Sequence, residues 1–178
     1  MNDINKIPPI INIVGRKRSG KTTLILSLLP LLSAKGYRVG TIKRTSHKET
    51  LDIPETDSFR HRKAGAAIAG FLTPSGVAAY CETPDQDAGF EILKDWMLGL
   101  DLVIVEGGKS SPGPKIEAFL SNQHSEPICS DPNECMAIVT DHLNSWPVPI
   151  FRTSELNRLI GIIEQNILHS HENDSTGK

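Results

Sequence analysis

The residues with the most distinctive chemistry lie between Gly15 and Thr22, and they fit the pattern G-x-x-x-x-G-K-[S/T] of phosphate-binding loops. In that pattern the lysine reaches the β- and γ-phosphates of a nucleotide, and the hydroxyl of the last residue binds Mg²⁺. Lys21 is therefore a predicted catalytic and nucleotide-binding residue, and Thr22 is a predicted metal ligand that also binds nucleotide. Gly15 and Gly20 permit the backbone to wrap tightly around the phosphates.

The rest of this loop is predicted to contact phosphate through its backbone and its charge. The backbone N–H groups from Ser19 to Thr23 are expected to hold the β-phosphate, because they lie at the positive end of a helix dipole. Arg16, Lys17 and Arg18 make the loop unusually basic. We expect Lys17 and Arg18 to attract polyphosphate, and solvated surface charge is the alternative that the sequence leaves open.

Two carboxylates follow predicted strands, which is where a P-loop metal usually finds its second ligand. Glu106 comes directly after the apolar run 102–105 and is predicted to bind Mg²⁺ or to orient the attacking water. Asp57 lies after the second predicted strand, in the region where switch loops lie in nucleotide hydrolases. It is a second catalytic and metal-binding candidate, with a helix cap as the alternative.

Two further residues end predicted strands at the same edge of the sheet. Lys43 ends the second strand and is a candidate for phosphate contact, with a surface lysine as the alternative. Asp141 ends a later strand, where a carboxylate can accept hydrogen bonds from guanine N1 and N2. The lysine that accompanies such an aspartate in P-loop GTPases is missing here, and a loop cap is the alternative.

The elements that must position these residues are predicted from the spacing of apolar residues. The apolar, β-branched run 10–14 indicates a buried strand before the loop, and a helix is expected from Gly20 or Lys21 to Lys35 or Gly36. With a strand at 37–43 this makes a parallel βαβ unit. Further strands are predicted at 66–72, 77–81, 102–105, 115–120, 136–141 and 148–151, the first two as a hairpin, and further helices at 59–65, 88–98 and 155–168. Their N-caps are predicted at Asp57 with Ser58, at Asp87 and at Ser154.

Composition narrows the class of protein. The chain has 178 residues, a formal net charge of −2 and 5% aromatic residues, so we expect one domain over 1–168 that binds neither nucleic acid nor a membrane. No signal peptide or long apolar segment is recognisable, which predicts a cytoplasmic protein. The three cysteines have no zinc-like spacing and are expected to be reduced. The polar tail 169–178 is predicted to be disordered.

Several motifs occur in an order that resembles the family of molybdopterin-guanine dinucleotide biosynthesis protein B, the MobB family. They are Gly15–Thr22, Gly40–Lys43, Asp57-Ser58 with Arg62–Ala66, Val105–Gly107, Pro114–Glu117 and Ala137–Asp141. The resemblance covers about residues 8–165, and it rests on the ordered set rather than on the P-loop alone.

The resemblance implies a three-layer αβα P-loop fold with a mostly parallel sheet. It also implies GTP and Mg²⁺ as ligands, slow GTP hydrolysis, and a homodimer in which a protruding hairpin at about 66–81 takes part. The implied partners are a MobA-type guanylyltransferase, which attaches GMP to molybdopterin, and molybdoenzymes or their chaperones. Molybdopterin itself is a candidate bound substrate or cargo.

The chain departs from the family pattern at three places: Lys43-Arg44 replaces a Lys-His pair, Glu55–Ser58 replaces Gly-Lys-Asp-Ser, and Phe119-Leu120 stand where an arginine often follows. These departures leave the nucleotide-binding motifs unchanged and affect the expected contacts to the pterin or to the partner protein. Two other functions stay open on the residues alone. One is a P-loop small-molecule kinase, for which Arg60 and Arg62 can imitate a lid. The other is an adaptor that binds nucleotide or pterin without turnover.

Overall fold

The computed structural model describes residues 7–46, 53–119, 126–129, 131–142 and 145–168. The chain divides into two compact units, one formed by 1–44 with 96–178 and the other by 45–95. Each unit has its own sheet, and the prediction of a single domain stays a prediction. The predicted disordered tail 169–178 lies outside the described residues.

Eight strands and four α-helices follow one another along the described chain. In order they are β1 (Ile10–Val14), α1 (Lys21–Ala34), β2 (Val39–Lys43), α2 (Asp57–Lys63), β3 (Ile68–Thr73), β4 (Gly76–Cys81), α3 (Gln86–Trp96), β5 (Leu102–Glu106), β6 (Lys115–Ala118), β7 (Cys135–Val139), β8 (Ile150–Phe151) and α4 (Leu156–Ile163). A 3₁₀ turn at Thr153–Glu155 precedes α4, and a π-helical turn at Glu164–Leu168 follows it.

The first unit is built on a six-stranded sheet in the order β2-β5-β1-β6-β7-β8. All its neighbouring strands within the described residues run parallel. The predicted α/β class with a mostly parallel sheet is therefore confirmed. β1 and β5 are neighbouring interior strands of the sheet and are almost wholly buried, as expected for the apolar runs in which they lie. The short strand β8 lies at the edge, where Pro149 places it.

The main core lies between the sheet and the helices α1 and α4. Alternate residues of β1, Ile11 and Ile13, face this core and are fully buried. α1 contributes a stripe of leucines, including Leu28 and Leu32, and runs on through Pro30 to its predicted end. α4 contributes Leu159, Ile160 and Ile163 at helical spacing. These contacts fix the start of α1, and hence the P-loop, against the carboxyl end of β1.

The opposite face of the sheet carries a smaller cluster together with polar side chains. Val14, Phe119 and Ile138 pack there with the buried thiols of Cys129 and Cys135. The side chain of Asn12 faces the same way, and its Nδ2 donates to the carbonyl of Pro112 at 3.2 Å. This bond holds the segment between β5 and β6 across β1.

The second unit contains α2, the hairpin β3–β4 and α3. The predicted hairpin is confirmed, since β3 and β4 pair antiparallel over their whole length. Within the described residues this sheet has two strands. The apolar side chains of the hairpin are mostly exposed, as at Phe71 and Leu72.

The helix caps differ from the predictions because neighbouring side chains reach the free N–H groups first. Thr56, not Asp57 or Ser58, caps α2 by accepting from the Phe59 N–H at 3.3 Å. At α3 it is Asp85, not Asp87, that accepts, from two N–H groups at 2.9 and 3.0 Å. Ser154 lies within the 3₁₀ turn before α4. There the Glu155 carboxylate accepts from the Arg152 N–H at 2.9 Å, closing the turn without a serine cap.

In the described part of the chain, no helix has the length and apolar character needed to cross a membrane.

Candidate functional site

The P-loop connects β1 to α1 and can only be built with glycine at its first position. Gly15 has φ +141°, and a Cβ there would lie 2.4 Å from the backbone oxygen of Ala118 at the end of β6. Gly20, directly before α1, has the left-handed φ of +89° with open space around it. Arg18 also has a positive φ, 61°, which a residue with a side chain rarely adopts. The loop therefore has a strained backbone and packs tightly against the end of β6.

Lys21 turns its ammonium group back into this loop. Its Nζ donates to the carbonyl oxygens of Gly15 at 3.0 Å and Arg16 at 2.6 Å. Partial burial lowers the pKa of Lys21, and the negative charge of Glu106 opposes that shift. A phosphate oxygen placed in the loop would offer the same ammonium a charged acceptor instead of two neutral ones, and hydrogen bonds between charged groups are roughly twice as strong.

Thr22 and Glu106 meet at the edge of the sheet, as the sequence predicts. The Thr22 hydroxyl donates to Glu106 Oε1 at 2.9 Å, joining the first turn of α1 to the end of β5. A hydroxyl beside a carboxylate provides the hard oxygen ligands that Mg²⁺ prefers. Lys43 is in register with Glu106 on the adjacent strand, so its backbone also lies at this edge, and its side chain is exposed.

The loop also contains unsatisfied hydrogen-bonding groups. The hydroxyl of Ser19 is buried and has no hydrogen-bond partner in the described part of the chain. No side chain caps the start of α1, so the N–H groups of its first turn, at Lys21, Thr22 and Thr23, have no partner within the helix. Lys17 and Arg18 are exposed beside them. These groups fit the oxygens of a polyphosphate, and the oxygens of Thr22 and Glu106 fit its Mg²⁺.

Asp141 lies just beyond β7, and its carboxylate holds the start of the 3₁₀ turn. Oδ2 accepts from the Thr153 hydroxyl at 2.7 Å, and Oδ1 accepts from the Thr153 N–H at 3.1 Å. These hydrogen bonds, the hydroxyl first, lower the pKa of Asp141. The residue is exposed and ionised, and each oxygen keeps a free lone pair. The contacts match the loop-cap alternative and leave the base-reading role as a prediction.

Asp57 belongs to the second unit, where it is the first residue of α2. Its carboxylate is exposed and lies 3.8 Å from the Arg60 guanidinium. Because Thr56 provides the cap, the helix-cap alternative for Asp57 is wrong. The metal and catalytic roles stay predictions.

Sequence reasoning missed Glu117, a fully buried carboxylate next to the P-loop. It lies in register with Val14, the last residue of β1, and accepts backbone N–H groups of Ile128 and Cys129 at 2.8 to 3.0 Å. Burial raises the pKa of Glu117, and these hydrogen bonds and the charge of Arg16 work against the rise. A glutamate amid apolar strand residues is the signal that can reveal such a group.

Comparison with known proteins gives a consistent match. A family model described as "Molybdopterin guanine dinucleotide synthesis protein B" (MobB) matches residues 10–141, more than half of the chain. The molybdopterin-guanine dinucleotide biosynthesis adapter protein of Haemophilus influenzae is 33% identical over 93% of both chains. The adapter protein of the same name from Escherichia coli is 39% identical over 62% of this chain and 65% of its own, just under two thirds of its length.

The fold leads to the same group of proteins. The crystal structure of Bacillus subtilis MobB superposes with a TM-score of 0.67 at 23% identity, covering 88% of this chain and 97% of that one. That likeness shows the fold, and the sequence matches show the relationship. Since the family model covers most of the chain, including the P-loop and both β1 and β5, the resemblance stated from the sequence is confirmed: this chain is a member of the MobB family.

Proposed function

We propose that this chain binds GTP with Mg²⁺, hydrolyses it slowly, and serves as an accessory protein when molybdopterin is converted to its guanine dinucleotide form. The names of the relatives support the pathway, since two of them are molybdopterin-guanine dinucleotide biosynthesis adapter proteins. The observation that carries the nucleotide site is the contact between Thr22 and Glu106 at the mouth of the loop that holds Lys21.

Each group at the site has its own role in binding the nucleotide. Lys21 leaves the carbonyls of Gly15 and Arg16 for the β- and γ-phosphates, and the N–H groups from Ser19 to Thr23 hold the β-phosphate. Thr22 and Glu106 would hold Mg²⁺, and the charge of the bound ion would stabilise the negative phosphate oxygens. Glu106 also lies where it can orient the water, and Lys43 on the adjacent strand adds positive charge at the same edge.

Guanine selection is assigned to Asp141. Its carboxylate is ionised and fixed by Thr153, so the lone pairs that remain have a defined direction. Two parallel acceptors match N1–H and the amino group of guanine and would meet an acceptor in adenine. This fixed carboxylate supports GTP over ATP.

The surroundings of the two arginines weigh against the small-molecule kinase. Arg62 pairs with Glu82 at 3.0 Å and lies over the ring of Phe59, while Arg60 lies beside Asp57. The Arg62 guanidinium is thus engaged within its own unit, and Arg60 has an acidic neighbour at 3.8 Å, whereas a lid needs both groups for the transferred phosphate. An adaptor without turnover shares the whole phosphate site and differs only in the rate of hydrolysis.

We propose further that the hairpin β3–β4 is where two copies of the chain meet. The side chains of Ile68, Leu72 and Val77 share one face of the hairpin and are 65–83% exposed, which makes this face an apolar surface, and Phe71 on the opposite face is 59% exposed. Isolated two-stranded hairpins are marginally stable in water, so a partner surface would stabilise this one. A homodimer accounts for both features.

Size-exclusion chromatography with light scattering tests the dimer. Leu72→Ser should shift the protein towards the monomer. Leu26→Ser removes a similarly exposed leucine from α1, and it should leave the mass unchanged. If Leu72→Ser has the mass of the unaltered protein at low micromolar concentration, the hairpin is not the interface.

The accessory role is tested by reconstitution with molybdopterin, GTP and a MobA-type guanylyltransferase. Adding this chain should raise the yield of the guanine dinucleotide or its transfer to an apo-molybdoenzyme, and Lys21→Ala should remove the gain. An equal yield with and without the chain would contradict the proposal. We propose that these reactions take place in the cytoplasm. We also propose that molybdopterin binds to this chain, as its substrate or as cargo.

A further inference from the structure

A cavity lies in the first unit, away from the phosphate-binding loop. Its volume is about 710 Å³, and it is lined by residues 109–115, 132–136, Asn166 and Ile167. It opens where β6 and β7 begin, at Lys115 and Cys135, whereas the P-loop follows the end of β1. Since Lys115 is in register with Asn12, the cavity lies about 10 Å back along β1 from Gly15.

The central feature of this cavity is a buried lysine. Lys115 is 6% exposed, and among the described residues the carboxylate that pairs with it is Glu134, with Nζ and Oε2 3.7 Å apart. That distance is too long for a hydrogen bond, and Glu134 is 66% exposed, so water weakens its charge. An ammonium group has three protons to donate. A buried cation that is so loosely paired favours an anion in the cavity.

The wall next to Lys115 adds donors of the kind that bind phosphate. Lys109 and Ser110 line the cavity and are exposed. The hydroxyl of Ser111, also in the wall, accepts from Arg44 Nη1 at 2.9 Å, which brings a guanidinium to the same segment. Lysine ammonium groups and serine hydroxyls are common phosphate ligands. The cations outnumber Glu134, so the wall is positive.

The rest of the cavity is larger and more apolar than an inorganic ion requires. Pro112, Pro132, Met136 and Ile167 supply apolar surface. The volume of about 710 Å³ lies in the range of sites for small organic molecules. A ligand with a charged phosphate and an uncharged organic body matches both parts of the wall.

We propose that this cavity binds a small organic phosphate, with its phosphate group on Lys115, Lys109 and Ser110. The site is separate from the P-loop and does not depend on which nucleotide binds there. Two residues, Gly107 and Gly108, separate Glu106 at the nucleotide site from Lys109 in the cavity wall, so a short stretch of chain connects a ligand here to that carboxylate.

Titration calorimetry with phenyl phosphate tests the site. The titration uses the full chain carrying Lys21→Ala, which weakens phosphate binding at the P-loop. One equivalent of phenyl phosphate should bind, and adding Lys115→Met should weaken it at least tenfold. Adding Lys94→Met instead, the same chemical change on α3, should leave it as it was. No binding of phenyl phosphate, or equal binding with and without Lys115→Met, would overturn the proposal.

A second variant and a second ligand extend the test. Lys109→Ala alters an exposed residue and should weaken binding of phenyl phosphate about threefold to fivefold. If Lys115→Met fails to fold, this variant tests whether lysines of the cavity wall bind the phosphate. Benzoate has a similar ring with a carboxylate and should bind at least fivefold more weakly than phenyl phosphate. Benzoate binding as tightly as phenyl phosphate would contradict the choice of phosphate.

Discussion

Replacing Gly15 by alanine, with Gly20→Ala as the matched control, tests how tightly the loop is held against the sheet. Both glycines have positive φ, but only at Gly15 would the new Cβ collide, at 2.4 Å from both the Ala118 oxygen and the Ser19 hydroxyl. Cβ atoms do not approach other atoms that closely, so β1 and β6 would have to move apart by about 1 Å, the difference from ordinary van der Waals contact.

The expected costs follow from these surroundings. Gly20→Ala should lower the free energy of unfolding by about 1–2 kcal/mol, because its only cost is the left-handed backbone conformation that the alanine must adopt. Gly15→Ala combines an unfavourable backbone with overpacking, which gives about 2–6 kcal/mol. For a chain of this length, each kcal/mol lowers the melting temperature by about 2–4 °C.

Thermal unfolding followed by circular dichroism gives the comparison directly. Gly15→Ala should melt at a clearly lower temperature than Gly20→Ala, and both should melt below the unaltered protein. If the two variants melt at the same temperature, the close approach of Gly15 to β6 does not hold the loop.

Three other changes test individual carboxylates. Glu106→Gln keeps an acceptor for Thr22 but removes the charge, so GTP hydrolysis should fall about 100-fold or more while GTP affinity falls far less; an equal loss in both would indicate a structural role. Asp141→Asn should lower the preference for GTP over ATP about tenfold to 100-fold, the value of a charged hydrogen bond, and an unchanged ratio in competition binding would exclude base reading. Because burial raises the pKa of Glu117, the folded state holds its proton more tightly, and stability should fall as the pH rises from the ordinary carboxyl value through that raised pKa. Glu117→Gln should flatten this decline in urea unfolding between pH 4 and pH 8, whereas an unaltered slope would show that another group causes it.

The parallel sheet, and the edge of it that carries the candidate phosphate site, follow from short-range patterns, and these were predictable. The apolar runs around β1 and β5 define buried interior strands, and their carboxyl ends bring Thr22 and Glu106 to 2.9 Å although the two residues are 84 positions apart in the sequence. Parallel pairing makes that meeting necessary once both strands are placed in one sheet. The family resemblance adds the order of the motifs, and the matched residues 10–141 confirm it.

The details that sequence reasoning missed depend on contacts between distant or competing groups. The caps at Thr56 and Asp85 were missed because several adjacent polar side chains can reach the same N–H groups, and only the path of the chain decides between them. Burial of Lys115 and Glu117 was missed, since charged residues in a strand are normally exposed. Lys115 and Glu117 are buried because the segments that connect the strands cross the face of the sheet opposite α1 and α4.

Titration of Mg²⁺–GTP into the unaltered protein and into Lys21→Ala measures whether the loop binds the nucleotide. Lys94→Ala on α3 serves as the control for loss of a lysine elsewhere. We expect binding to the unaltered protein and to Lys94→Ala, and a loss of affinity of about 100-fold or more for Lys21→Ala, because a charged hydrogen bond to phosphate contributes about 1.5–3 kcal/mol and Lys21 supplies more than one. Equal GTP affinity of Lys21→Ala and the unaltered protein would contradict the assignment of the loop.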